Sequence, residues 1–241
     1  MISCAEFVGR LGNHLFQMSA AIGVAIEHGD AYGFPRWVHE GDFPLGGCFH
    51  ERIDGGPEYR EPAFSYSPVP YWPNLRLRGY FQSEKYFSHC ASRIRELFTP
   101  LRQARFPRQE RTAAVHVRRG DYLLLPDKHP VLPLEYYREA MAVLRKRGIS
   151  RFLVMSDDLP WCRARRWGPG VEVIGDLDAL DQFALTISCR GHAMANSTFS
   201  WWGAWLDPDP EKLVIAPRRW FGPGYAHFDT KDLIPEGWTL L

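Results

Sequence analysis

The chain of 241 residues carries 29 basic and 28 acidic side chains, a formal net charge of +1, with 45% hydrophobic and 24% charged residues. These globular proportions exclude a disordered, collagenous or low-complexity chain, and near neutrality leaves no basic footprint for nucleic acid and no polybasic tail for an anionic membrane. No run reaches the roughly 20 consecutive apolar residues that a membrane-spanning helix needs.

The opening MISCAEFVGRLGN has neither a basic nor an apolar leader region, so no signal peptide is expected. A short apolar run, Ala5 to Val8, precedes Gly9-Arg10-Leu11-Gly12-Asn13. A helix should follow, because Leu15, Met18, Ile22, Ala25 and Ile26 recur at three- and four-residue steps, with Asn13 as its N-cap. Phe34 to Asn74 is rich in glycine and proline and reads as loops with short strands. Leu77–Phe81 reads as a strand and Glu84–Phe98 as a helix. The polar, proline-bearing stretch TPLRQARFPRQER then marks a seam between residues 1–108 and 109–241.

The second half alternates more cleanly. Strands are expected at Ala113–Arg118, Phe152–Met155, Val171–Ile174, His192–Ala195 and Leu213–Ala216. Helices are expected at Leu134–Lys146, around Leu180–Ile187 and at Phe199–Leu206. Strand alternating with helix means right-handed crossovers and a parallel sheet, so the fold class is α/β. Cys4, Cys48, Cys90, Cys162 and Cys189 are scattered, odd in number and without C-x-x-C spacing, which points to reduced thiols rather than disulfides or zinc. Nine tryptophans and 14% aromatics add some weight to a carbohydrate ligand.

In an open parallel sheet, ligands bind beyond the carboxyl ends of the strands. Three polar clusters follow strands here: His116-Val117-Arg118-Arg119-Gly120-Asp121, Ser156-Asp157-Asp158, and Asn196-Ser197-Thr198-Phe199-Ser200. Together they predict one crevice. Strand alternation puts His116 and Arg118 on one face, and the Arg118 guanidinium can grip a phosphate through two parallel hydrogen bonds. The bland alternative is a pair of salt-bridged surface arginines. Ser197 and Thr198 open a helix, whose N–H groups and partial positive charge suit an anion; a plain helix cap is the alternative. The carboxylates of Asp157 and Asp158 could serve a metal, a sugar hydroxyl or the next helix's amides. Asp207-Pro208-Asp209 resembles an Asp-x-Asp metal motif but reads as a turn. No H-x-x-x-H pairing occurs, and no metal site is expected.

With these residues in view, the chain resembles the bacterial α-1,2-fucosyltransferases of glycosyltransferase family 11. The segments that carry the resemblance are GRLGNHLFQ at 9–17, GYFQSEKYF at 79–87, HVRRGDY at 116–122, MSDD at 155–158, ANSTFSWWGAWL at 195–206, VIAP at 214–217 and DLIPEGW at 232–238. The departures are His14, where glutamine is common, and the stretch Leu123–Pro133.

The resemblance implies a GT-B-like variant with two Rossmann-like α/β halves: an acceptor-side domain at 1–108 and a GDP-fucose-binding domain at 109–241. It implies inverting transfer of L-fucose from GDP-β-L-fucose to the 2-hydroxyl of a galactoside, with no required metal or cofactor. Candidate donor contacts are Gly12, Asn13, His116, Arg118, Ser156, Asp157, Asp158, Asn196, Ser197 and Thr198, with Asp181 matched to an acid that holds guanine in related enzymes. Arg118, Asp121 and Asn13 are the catalytic candidates: Arg118 on the β-phosphate, Asp121 as general base with Asp127 as its rival, and Asn13 approaching the donor. The expected partners are GDP-fucose and a galactose-terminated glycan, free or lipid-linked, in protein glycosylation or surface polysaccharide synthesis. The expected location is cytoplasmic, with peripheral membrane contact only through a lipid-linked acceptor. The alternatives are a transferase of another GDP-sugar or linkage, a non-catalytic nucleotide-sugar or glycan-binding protein, and a metal-dependent sugar-nucleotide hydrolase.

Overall fold

A parallel three-stranded sheet and one long helix open the chain. The computed structural model describes residues 1–53 and 55–241, which divide into two compact units. The first comprises Met1–Leu101 and Phe228–Pro235. Strand β1 (Ser3–Cys4) leads into helix α1 (Leu11–His28), whose Leu15, Phe16, Met18, Ala21, Ile22 and Ala25 are buried, as their helical spacing requires. The cap of α1 is Arg10, in extended conformation, whose carbonyl accepts from the amides of Asn13 and His14. Asn13 therefore lies inside the first turn and is not the N-cap the sequence suggested.

Strands β2 (Phe34–Pro35) and β3 (Phe49–His50) pair in parallel. Strands β4 (Glu58–Arg60) and β5 (Arg76–Arg78) join β1 in the order β1-β5-β4, also parallel. The expected strand to Phe81 stops at Arg78, because Gly79 (φ 157°) and Phe81 (φ 52°) turn the chain sharply. The expected helix from Glu84 is broken into two 3₁₀ turns and helix α2 (Ala91–Phe98). The break falls at Phe87 (φ −145°), which is fully buried and packs against Phe16 with ring centroids 6.3 Å apart. Tertiary packing overrides helical periodicity there.

The second unit comprises Arg102–His227 and Glu236–Leu241. Its elements are β6 (Gln109–Val117), α3 (Leu134–Lys146), β7 (Arg151–Ser156), α4 (Leu159–Arg163), β8 (Val171–Val173), α5 (Ala179–Ser188), β9 (Cys189–Ala193), α6 (Thr198–Leu206), β10 (Leu213–Ala216) and β11 (Thr239–Leu240). All six strands are parallel, in the order β11-β10-β9-β6-β7-β8. Numbered from β6 as first, this is the doubly wound order 3-2-1-4-5-6, with its switch point between β6 and β9.

Alternation along β6 divides the core. Ala113, Val115 and Val117 face Tyr137, Ala140, Met141 and Leu144 of α3 and Cys162 of α4; Ala114 faces the opposite layer with Leu153, Met155 and Leu185 of α5. A sheet covered on both faces explains the uninterrupted apolar runs in its strands. Among the described residues, no helix is long and apolar enough to cross a membrane.

Candidate functional site

In doubly wound sheets ligands bind outside the carboxyl ends of the strands at the switch point, here those of β6 and β9. His116 sits near the end of β6, is 8% exposed, and stacks on Phe199 of α6 with centroids 5.1 Å apart. Burial, helped by the positive charge of Arg118, lowers its pKa to about 4, so the imidazole is neutral at physiological pH. Its Nδ1 is buried without a hydrogen-bond partner, a polar atom that a ligand at this strand end could satisfy.

Arg118 follows β6 directly. One guanidinium nitrogen contacts Asp121 Oδ1 at 2.5 Å and another contacts Asp157 Oδ2 at 2.9 Å. Its guanidinium carbon lies 5.3 Å from the centre of the Tyr122 ring. Two carboxylates and an aromatic face thus hold Arg118 in place with only 16% of its side chain exposed. Gly120 makes this possible: a Cβ there would come within 2.4 Å of Asp157 Oδ2.

Asp157 also accepts from the Arg119 backbone N–H at 2.9 Å, linking the ends of β6 and β7. Asp158 caps α4 by accepting from the Trp161 amide, and its other oxygen pairs with Arg119 Nε at 2.9 Å. That pair, with the bond from the Trp161 amide, holds the Asp158 carboxyl below the usual carboxylate range, and the Arg119 guanidinium carbon lies 4.2 Å from the centre of the Trp161 ring. Ser156 Oγ accepts from the Asp158 amide at 2.9 Å.

Across the switch point, Asn196 is 1% exposed and donates to the carbonyls of Pro130 and Trp220, both at 3.0 Å. Its Oδ1 is buried without a partner. Ser197 is the extended N-cap of α6 but makes no side-chain capping hydrogen bond. Its hydroxyl is therefore not occupied as an ordinary cap, and half-buried Thr198 opens the helix beside it. Arginine, two hydroxyls and a helix N-terminus placed at one sheet edge make an anion-binding arrangement.

The sequence candidates thus separate into four groups. His116, Arg118, Asp121, Ser156, Asp157, Asp158, Asn196, Ser197 and Thr198 all lie at the carboxyl ends of β6, β7 and β9. Asp181 lies in the first turn of α5, 8% exposed, with Oδ1 held by Arg105 at 2.9 Å and Arg102 at 3.3 Å. Gly12 and Asn13 belong to the first unit, where Asn13 Oδ1 accepts from Gln82 Nε2 at 3.1 Å. Asp127, the rival base, is exposed; its carbonyl accepts from the Gly224 amide. Among the described residues, no group of three or more His, Cys, Asp or Glu side chains is arranged to hold a metal ion.

Sequence reasoning missed Tyr122. Its hydroxyl donates to the Asn196 carbonyl at 2.9 Å and its ring stacks on His129 at 4.7 Å, so it ties the β6 and β9 ends together. The signal was present as the aromatic residue closing HVRRGDY. The turn reading of Asp207-Pro208-Asp209 also missed its depth. Asp207 is fully buried, 3.0 Å from His192 Nε2 and 2.8 Å from Arg108, which reaches Asp209 as well.

The fold and site thus define an α/β protein with a doubly wound parallel sheet whose switch point is flanked by an arginine and a helix N-terminus. The family model for glycosyl transferase family 11 matches residues 56–239, and the chain belongs to that family. Among its relatives, the O-antigen biosynthesis glycosyltransferase WbnK of Escherichia coli is 37% identical over 54% of this chain and 44% of its own length. An alpha-1,2-colitosyltransferase of Escherichia coli is 31% identical over 70% of this chain and 63% of its own. The galactoside alpha-(1,2)-fucosyltransferase 1 of Aotus azarae is 33% identical, covering 70% of this chain and 56% of its own. The chain spans about half the length of the curated relatives it matches.

Proposed function

We propose that the protein is an inverting, metal-independent transferase that moves L-fucose from GDP-β-L-fucose to the 2-hydroxyl of a galactoside, forming an α-1,2 linkage. The observation that carries the reading is the Arg118 guanidinium held by Asp121 and Asp157 and packed on Tyr122, whose hydroxyl reaches the Asn196 carbonyl just before α6, at the switch point of a family 11 sheet. In this reading the fold is a GT-B variant, its second unit holds GDP-fucose and its first unit serves the acceptor side.

In the proposed step, the galactoside hydroxyl oxygen attacks C1 of fucose from the face opposite the nucleotide. The C1–O bond to the diphosphate breaks through an oxocarbenium-like transition state, and GDP leaves with the electron pair. Arg118, Ser197, Thr198 and the α6 amides receive the charge that grows on the β-phosphate. The attacking hydroxyl's proton goes to a carboxylate, for which Asp121 is the assigned base because it stands beside Arg118 at the same strand end. Neutral His116 and Asn196 contact the nucleotide and Asp181 the guanine, and Asn13 with Gly12 approaches the donor. The protein works in the cytoplasm, on a free or lipid-linked glycan.

Incubation with GDP-fucose and a panel of galactosides in EDTA, followed by linkage analysis, tests this reading. An α-1,2-fucosylated galactoside is expected. Turnover abolished by the chelator, or GDP binding without transfer to any acceptor, overturns it. A colitose donor belongs in the same panel because one relative is named for that transfer.

A further inference from the structure

The first unit has a carboxyl edge of its own. In its parallel sheet β5 is central, flanked by β1 and β4. Each strand delivers one polar side chain beyond its end: Asn13 after β1, Gln82 after β5 and Glu61 directly after β4. Parallel sheets place ligands at that edge; Gln82 bonds Asn13, and Glu61 bonds the backbone of the two residues before Gln82.

Glu61 continues the β4 ladder, its amide donating to the Arg78 carbonyl at 2.8 Å. Its carboxylate then accepts from two successive amides of the neighbouring turn: Tyr80 N to Oε2 at 2.7 Å and Phe81 N to Oε1 at 2.9 Å. That turn is strained. Phe81 has a left-handed φ of 52°, which a bulky side chain rarely adopts, and Gly79 a φ of 157°. A Cβ at Gly79 would lie 2.4 Å from the Glu61 side chain, so the glycine lets the carboxylate in. The turn delivers Gln82, 6% exposed, whose Nε2 donates to Asn13 Oδ1 at 3.1 Å while its Oε1 is buried without a partner. A buried amide oxygen left unpaired beside a second amide suits a donor such as a sugar hydroxyl.

We infer that Glu61 is a positioning residue, holding the Gly79–Gln82 turn so that Gln82 and Asn13 form a preset pair of amides for a sugar hydroxyl. As a role in transfer, this rests on the fucosyltransferase reading. The two-handed grip needs both carboxylate oxygens as acceptors; a protonated carboxyl turns one of them into a donor. Burial pushes the Glu61 carboxyl up to about 7, against the pull of its two amide bonds. Tyr59 of β4 and Tyr86 both interact with this carboxylate, and Tyr66 stacks on Tyr86. The Tyr59 and Tyr86 hydroxyls are pushed up by burial and stay neutral through this range. The clamp should therefore engage above about pH 7 and release below it.

The experiment compares wild type, Glu61→Gln, Gln82→Ala and the double variant. Amide hydrogen exchange reads the clamp without any assay of transfer. In wild type, the Tyr80 and Phe81 amides should lose protection as pH falls from 8.5 to 5.5. In Glu61→Gln they should exchange roughly tenfold or more faster at pH 8, the worth of a charged hydrogen bond, with α1 amides unchanged as the folding control. Unaltered Tyr80 and Phe81 protection in that variant overturns the clamp.

Kinetics read the positioning. Each single variant should lower kcat/KM for fucosyl transfer by about tenfold, the double should fall no further than Gln82→Ala, and Glu61→Gln should flatten the acid limb near pH 7. Additive losses, or wild-type kinetics in Glu61→Gln, overturn the proposal. If wild type transfers no fucose, the functional reading fails by itself, and binding of methyl β-L-fucoside and methyl β-galactoside followed by NMR decides the site: binding of either sugar that is lost in Gln82→Ala and Glu61→Gln sustains it, whereas absent or unaltered binding of both overturns it.

Discussion

The two units reach order by different means. In the second, β6 and β7 pair over six consecutive positions, Thr112↔Arg151 to Val117↔Ser156, and the backbone ladder carries the architecture. In the first, strands are two or three residues long, too short to hold loops by pairing alone. Side chains gripping backbone take over. Gln17 accepts from the Val8 amide and donates to its carbonyl, and Glu61 takes the amides of Tyr80 and Phe81. A long ladder tolerates loss of a side-chain bond away from its ends, whereas a clamped loop depends on each one. The second unit should therefore be sensitive at its strand ends and buried ions, not along its surface.

The strand-end site is where the largest effect is expected. Arg118→Ala removes a cation gripped by both Asp121 and Asp157, and loss of such a preorganised donor costs about 10²–10³ in turnover. Steady-state fucosyl transfer by the variant checks this, and wild-type turnover would refute the assignment. Arg118→Lys should recover little, because an ammonium cannot reproduce the planar two-sided grip. If Asp121→Asn keeps the rate while Asp127→Asn loses it, the base is Asp127.

A buried ion pair away from the site sets the next effect. Asp207 is fully buried between His192 and Arg108. Asp207→Ala leaves His192 without its partner, and removing one member of a buried pair costs about 3–5 kcal/mol. The low end, about 3 kcal/mol, is expected because Arg108 is 29% exposed and keeps Asp209. Urea denaturation measures it.

The same pair fixes an acid dependence. Burial lowers the His192 pKa, so the unfolded chain binds its proton first and stability begins to fall as pH drops below the ordinary histidine value of about 6.5. His192 and Arg108 hold the Asp207 carboxyl below the usual carboxylate range despite its burial. Its contribution is present above the unfolded value of about 3.9 and is lost as pH falls through the lower folded value. Asp207→Ala should remove that second, lower loss while leaving the first.

Much of the second unit was legible because its chemistry is local. The apolar runs at Ala113–Val117 and Phe152–Met155, each followed at once by polar residues, announce buried parallel strands with functional ends. The spacing of Tyr136, Tyr137, Ala140, Met141 and Leu144 announces the face of α3. What could not be read was partnership across distance. Nothing near Arg118 says that Asp157 will share its charge, and nothing near Glu61 says that its carboxylate will hold residues 80 and 81. Asn13 shows local propensity failing: it is a good cap by type, yet extended Arg10 starts the helix three residues earlier. The helix expected from Glu84 failed for the converse reason, since the burial of Phe87 against Phe16 outweighs a continuous helical period.

The smallest expected effect tests whether the loop after Asp121 is held as firmly as the strands beneath it. Within residues 123–133, Asp127, Lys128 and His129 pack against the turn at Phe221–Tyr225. The Gly222 amide donates to the Lys128 carbonyl at 2.9 Å, and the Gly224 amide to the Asp127 carbonyl at 2.9 Å. A Cβ on Gly222 would lie 2.2 Å from the Asp127 carbonyl oxygen, a backbone atom that cannot swing aside. Gly222→Ala must therefore push the two segments apart. Overpacking of this kind costs about 1–3 kcal/mol, and the displaced segment carries His129, on whose ring Tyr122 stacks. Melting should drop by only a few degrees, while turnover should fall further than that loss of stability explains, because Tyr122 in turn supports Arg118. Equal, small losses in both would mean that the loop is a passive cover and that Arg118 needs only its two carboxylates.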